Sequence, residues 1–298
     1  MLPFKKIYGA GMAVVEHYLP AANKLNESPL WHKAERALYW VDIEGHCFHR
    51  FFPETQIQET FQVGQPIGCL AFCTSGRLVL GLRDGLAFWD WGMGSIEIVA
   101  NPEAGRKDAR FNDGKVDGKG RLWAGTLGED DQSFLYRLDS DGTIHTMETG
   151  VSISNGLGWS PDNRQMYYTD SPLSVIYLYN FNLETGSVSN RRDFVRVPAD
   201  DGYPDGLSVD RDGFVWSAHW DGWRITRYDP DGKIERVIPL PVQRPTSCTF
   251  GGPDLDQLFI TSAWTGLHEI DRREQPLAGD LFHIQTDIIG QQENLFNG

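Results

Sequence analysis

The sequence predicts an all-β fold: a six-bladed β-propeller of four-stranded antiparallel blades, closed by an N-terminal strand that joins the last blade. Three observations carry this. The first is a repeated phrase: a polar residue, a small residue, a short apolar strand, a tight turn and an aromatic-rich strand. Its clearest copies span residues 112–126 (NDGKVDGKGRLWAGT), 155–170 (NGLGWSPDNRQMYYTD) and 205–218 (DGLSVDRDGFVWSA), and weaker ones begin at Glu27, Gly68 and Thr246. The second is the period. Consecutive copies start 41, 44, 43, 50 and 41 residues apart, and self-similarity at about 40–50 residues marks a propeller whose unit is one four-stranded blade. The third is composition: 32 glycines and 12% aromatics suit many short strands joined by tight turns, and no convincing amphipathic helix interrupts them.

Taken in order, residues 12–18 read as a strand lying before the first repeat. A ring of blades has an edge problem where the chain begins and ends. Residues 280–286 (DLFHIQT) supply the expected partner in the last blade. Within blades, turn signals fall where a meander needs them. In the fifth repeat, strands are predicted over 207–209, 214–219, 224–228 and 234–239, with turns at 211–213 and 229–232 and a loop at 220–223. Matching later turns fall at 139–142 in the third repeat and at 184–186 in the fourth. No composition shift or linker divides residues 1–298, which read as a single propeller domain.

A formal charge of −14 leaves no basic patch for nucleic acid or an anionic membrane. No run reaches the roughly 18 apolar residues of a membrane helix. The apolar stretch near the N-terminus is short and lacks a clear cleavage site, so the expected location is the cytoplasm. Cys47, Cys69, Cys73 and Cys248 form no CxxC pair and read as buried thiols in a reducing compartment.

The chemistry is expected at one face. If the first strand of each blade runs down beside the central channel, its first residue lies at the top. Glu27, Gly68, Asn112, Asn155, Asp205 and Thr246 are then gathered around one axis. Four of them are carboxylates or carboxamides, and hard divalent cations take oxygen ligands converging from several directions. Oxygen ligation favours Ca²⁺, Mg²⁺ or Mn²⁺, with Zn²⁺ and Fe²⁺ left open. The competing reading is that these residues cap strand starts or bond neighbouring loops. Arg110, two residues before Asn112, is placed to hold a substrate oxygen or to make a surface salt bridge. Glu129, Asp130 and Asp131 occupy the top loop after LWAGT, where a carboxylate reaching inward can accept bonds from hydroxyls. His219 reads as a packed histidine beside Trp220. Asp117, Asp139, Asp141, Asp162, Asp210, Asp212, Asp229 and Asp231 fall in bottom turns, where Asp bonds its own backbone, and are assigned no chemistry. Serine-triad, HExxH and phosphate-loop signatures are absent.

These residues resemble a known family. ESPLW and LYWVDI, RFNDGKVDGKGRLWAGT, SNGLGWSPDNRQMYYTDS, PDGLSVDRDGFVWSAHWDG and CTFGGPDLDQLFITSA are similar to the sugar-lactone lactonases grouped as senescence marker protein (regucalcin), gluconolactonase and luciferin-regenerating enzyme. The resemblance implies a six-bladed propeller with one divalent cation in its channel. It implies Glu27, Asn155 and Asp205 as metal ligands, with Asp205 also as proton donor and acceptor. Arg110 and Asn112 correspond to the family's substrate-binding pair. A substrate-contacting glutamate after AGT falls on Asp130 here, and the usual GEGPLW reads NESPLW. The function expected is metal-dependent hydrolysis of a small-molecule sugar lactone to its aldonic acid. A hydrolase of other esters or phosphotriesters, or a calcium-binding propeller without catalysis, stand beside it as alternatives.

Overall fold

Aromatic and β-branched residues at alternate positions, broken by Asp-Gly turns, fold locally into meanders. The structure, a computed structural model, describes residues 14–128 and 132–298. Its strands form six four-stranded sheets. The innermost strands are Asn26–His32, Ile67–Phe72, Arg110–Val116, Ser154–Trp159, Tyr203–Val209 and Pro245–Gly251, one for each of blades one to six. Each lies against the innermost strand of the next blade, and Pro245–Gly251 against Asn26–His32 completes the ring.

The core is distributed rather than central. The innermost strands are buried along nearly their whole length, whereas the outermost, such as Ile57–Gln62 and Ile234–Pro239, are largely exposed. Six apolar clusters fill the six spaces between consecutive blades. This is face-to-face sheet packing repeated around an axis. Burying aromatics such as Trp40, Trp123 and Trp216 there, each 0% exposed, holds the ring together at roughly 25 cal/mol per Å² of apolar surface removed from water.

The expected closure is present. Glu16–Leu19 pairs antiparallel with Leu281–Gln285, with Glu16 opposite His283, and His17 Nε2 lies 2.8 Å from Asp280 Oδ2. Residues 12 and 13 of the predicted strand lie outside the described residues. The four cysteines are buried and unpaired, as expected. No helix among the described residues is long and apolar enough to cross a membrane.

Two features were not anticipated. A one-turn helix, Glu269–Glu274, sits in the upper loop of blade six. The C-terminal segment runs across the lower opening of the channel. Gln291 Nε2 donates to Trp159 O and Val209 O, both at 3.2 Å, and Asn294 Nδ2 to Val116 O at 3.1 Å. Lys115 and Glu293 pair at 3.3 Å. Phe296, 1% exposed, anchors the end among blades two and three. No periodicity marks this segment, because its bonds are scattered over blades three, four and five.

The bottom turns follow the sequence reading. Asp117, Asp139, Asp210 and Asp229 each open a turn in which the glycine three residues on donates its N–H back to the Asp carbonyl. Those glycines have φ of 76°, 85°, 84° and 81°, a left-handed conformation that other residues adopt at a cost.

Candidate functional site

A single irregularity, repeated in every blade, builds the site. Each innermost strand carries one residue more than its partner. The pairing slips between Glu27 and Leu30, Ile67 and Cys69, Phe111 and Gly114, Ser154 and Leu157, Pro204 and Leu207, and Pro245 and Ser247. Glu27, Gly68, Asn112, Asn155, Asp205 and Thr246 are thus not strand starts. They lie one or two residues inside their strands, at a β-bulge that turns the side chain out of the ladder. The same bulge explains why blade five's first strand is Tyr203–Val209 and not 207–209: pairing resumes above it. Gly156 and Gly206 follow two of these positions. A Cβ there would lie 2.5 Å from Asp205 O and 2.1 Å from Ser247 Oγ, respectively. Only glycine lets neighbouring innermost strands converge so tightly.

Glu27, Arg110, Asn112, Asn155 and Asp205 line one cavity of about 420 Å³ at the upper end of the channel. Gly68 brings no side chain. Thr246 is turned into the wall, its Oγ1 donating to Asn26 O at 2.5 Å. Asp130, with Glu129 and Asp131, lies outside the described residues. His219 is packed, 1% exposed, with Nδ1 2.9 Å from Asp201 O and Nε2 3.3 Å from the Tyr228 hydroxyl. Burial pushes its pKa down to about 4. Its neighbour Trp220 does line the cavity.

A hydrogen-bonded chain spans three blades. Arg110 Nη1 donates to Asn112 Oδ1 at 2.6 Å and to Phe111 O at 3.0 Å. Asn112 Nδ2 donates to Asn155 Oδ1 at 3.0 Å and to Ser154 O at 2.8 Å. Asn155 Nδ2 donates to Ser171 Oγ at 2.9 Å, and Ser171 Oγ to Pro204 O at 2.6 Å. This order fixes both amides. It also sets the two amide oxygens apart. Asn112 Oδ1 accepts from the Arg110 guanidinium, whose charge disfavours a cation beside it, whereas Asn155 Oδ1 accepts from a neutral carboxamide and keeps its second lone pair for one. The Arg110 bonds run inward along its own strand, and among the described residues none is to a carboxylate. Ser171 escaped sequence reasoning, although it ends the SNGLGWSPDNRQMYYTDS motif, because a serine after a strand resembles any turn residue.

The electrostatics are strained. Asp205 is 4% and Glu27 7% exposed. Among the described residues, the buried Asp205 Oδ1 has no hydrogen-bond partner, and Glu27 Oε2 accepts from Ser28 N at 3.3 Å. Burial pushes both carboxyls well above the usual carboxylate range, with the neighbouring Asp113 charge, and for Glu27 that of Asp205, adding to it. Burial also raises Asp113 to about 6 and lowers Arg110 to about 10. Two buried carboxylates, one with an orphaned oxygen, beside a carboxamide oxygen with a free lone pair, fit an oxygen-preferring divalent cation. Among the described residues no three His, Cys, Asp or Glu side chains cluster as a ligand set, so these donors are a mixed carboxylate–carboxamide group.

Comparison with known proteins gives the chain a family. The model of the SMP-30/gluconolactonase/LRE-like region matches residues 25–264. The chain belongs to this family. Within the SMP-30/gluconolactonase/LRE-like family it is 38% identical to a pentonolactonase of Haloferax volcanii, over 91% of this chain and 94% of that protein. It is 36% identical to a 6-deoxy-6-sulfogluconolactonase of Pseudomonas putida, over 92% and 95%. The solved structure of a luciferin-regenerating enzyme superposes with a TM-score of 0.89 at 29% identity, covering 96% of this chain and 100% of that one.

Proposed function

We propose that the protein hydrolyses sugar lactones to the corresponding aldonic acids, with a divalent cation held by Glu27, Asn155 and Asp205. The observation that carries this reading is the buried, unpartnered Asp205 Oδ1, set with Glu27 in a cavity that also presents a guanidinium. The lactonase names of relatives at 36–38% identity support the reaction class. A cation bound there supplies positive charge against the lactone carbonyl oxygen and acidifies water. Asp205 takes a proton as water adds to the carbonyl carbon. It returns that proton to the ring oxygen as the C–O bond breaks, so one water and one lactone become one hydroxy acid.

Arg110 binds and orients the substrate, and Asn112 helps to aim it, with one lone pair of its Oδ1 left for a substrate hydroxyl. Arg110 Nη1 is committed to Phe111 O and Asn112 Oδ1, which aims the guanidinium and leaves its other N–H groups for lactone oxygens. Holding the ring in one pose converts binding into alignment. The test is initial rates on purified aldonolactones, aryl esters and phosphotriesters, after chelation and after add-back of single cations. Lactone hydrolysis that chelation abolishes and one cation restores is expected. Turnover of esters or phosphotriesters alone sinks the lactone reading, and rates indifferent to chelation sink the cation.

A further inference from the structure

The cavity has a second tier. Side chains two residues apart on a strand share a face, so the residues two before the bulge positions face the same cavity nearer its mouth. In the blades that line it they are Leu25, Arg110, Ile153 and Tyr203. The ends of the second strands stand beside them: Ile43, Leu127 and Trp220 also line the cavity. Main-chain pairing ties the tiers together. Ile43 N donates to Leu25 O at 3.0 Å, Leu127 bridges to Ile153, and Tyr203 stands opposite Trp220. Among the described residues, one guanidinium therefore interrupts a ring that is otherwise aliphatic and aromatic, above a floor of carboxylates and carboxamides.

This ring is held in place. Ile43 is 3% exposed and belongs to the cluster between blades one and two. The Arg244 guanidinium lies 4.6 Å from the centre of the Trp220 ring and is itself bonded to Asp221 Oδ1 at 2.6 Å. A substrate whose carbonyl end meets Arg110 and the floor must lay its far end against Leu25, Ile43, Ile153 and Trp220. Against the aliphatic side chains of Leu25, Ile43 and Ile153 a hydroxyl exchanges its bonds to water for none, whereas a methyl or methylene gains by leaving water. The Trp220 indole N–H and the Tyr203 hydroxyl are the polar edges of the ring.

We infer that the upper ring selects lactones with an apolar flank, meaning deoxygenated, alkyl- or aryl-substituted rings, over lactones hydroxylated at every carbon. This rests on the lactonase reading above. The experiment measures kcat/KM of the cation-replete protein, by proton release, for three lactones: D-glucono-1,5-lactone, its 6-deoxy counterpart and δ-hexanolactone. The 6-deoxy lactone is expected to exceed gluconolactone by about tenfold or more, the scale on which an apolar pocket separates neighbours differing by one small group. Ile153→Thr, still β-branched though one methyl shorter, and separately Leu127→Gln, are expected to narrow that ratio by giving the hydroxyl a partner. Equal or better hydrolysis of the fully hydroxylated lactone overturns the selectivity and leaves the lactonase reading standing. Failure on all three overturns both. A wild-type preference that both variants leave unchanged overturns the assignment to this ring.

Discussion

Two sets of carboxylates lie towards opposite ends of the innermost strands and all are buried, yet they live in opposite circumstances. At the bottom, Asp117 and Asp210 are 0% exposed and saturated. Asp210 accepts from Asp212 N, Phe214 N, Trp216 Nε1 and the Arg227 guanidinium at 2.7–3.0 Å. Asp117 accepts from Lys119 N, Arg121 N, Arg121 Nε and Trp123 Nε1 at 2.7–3.2 Å. At the top, Asp205 and Glu27 face each other's charge, and Asp205 Oδ1 has no hydrogen-bond partner among the described residues. Burial alone therefore says little about function. What distinguishes the upper pair is how little the fold does to satisfy it: among the described residues, one long bond from Ser28 N reaches Glu27 and none reaches Asp205 Oδ1. A buried, poorly satisfied charge is tolerated only where something else arrives to compensate.

The comparison can be broken from either end. The largest effect is expected at the bottom, for Asp210→Ala. It strands Trp216 Nε1 and two backbone amides and leaves the buried Arg227 with only Glu235, so unfolding free energy should fall by about 3–5 kcal/mol. Lactone turnover per folded molecule should remain near the parent value. Denaturant titration and rates on the folded fraction check it, and lost turnover at intact stability would erase the distinction. Next is Asp205→Asn at the top, which keeps shape and removes charge. Turnover should drop by about 100-fold or more in a well-folded protein. The cation-induced rise in melting temperature should largely vanish, since a ligand stabilises in proportion to its binding. Near-native, cation-dependent turnover in this variant rules out the role given to Asp205.

The smallest effect is in pH. An acid whose folded pKa is raised favours the fold below its unfolded pKa of about 4 and loses that contribution as pH climbs through the raised value. In chelator, wild type should therefore lose ground to Asp205→Asn as pH rises from 5 to 8, by about a few degrees in Tm. The cation-induced rise in wild type should grow over the same range as protons are displaced. A wild-type-minus-variant difference that ignores pH would show that the upper carboxyl is not held protonated by burial.

Much of this protein was legible in its sequence because propellers repeat. The period of the phrase beginning at Glu27, Asn112, Asn155 and Asp205 gave the blade count, and the strands at 224–228 and 234–239 fall where the alternation and turn residues put them. The gathering of those four side chains with Arg110 followed from ring closure alone, since equivalent positions in a closed array share a face. Local chemistry sufficed for all of these, because turns and strand periods are set within a few residues. The bulges are different: an extra residue exists only relative to a partner strand, so no single stretch announces it. The same holds for Ser171 beneath Asn155, for the apolar ring above it, and for the C-terminal segment across the lower opening, each fixed by contacts between distant residues. The difference between Asp205 and Asp210 is the sharpest instance. Both are Asp followed within a few residues by glycine and an aromatic strand, and only the folded ring decides that Arg227 reaches one of them while the other faces a cavity.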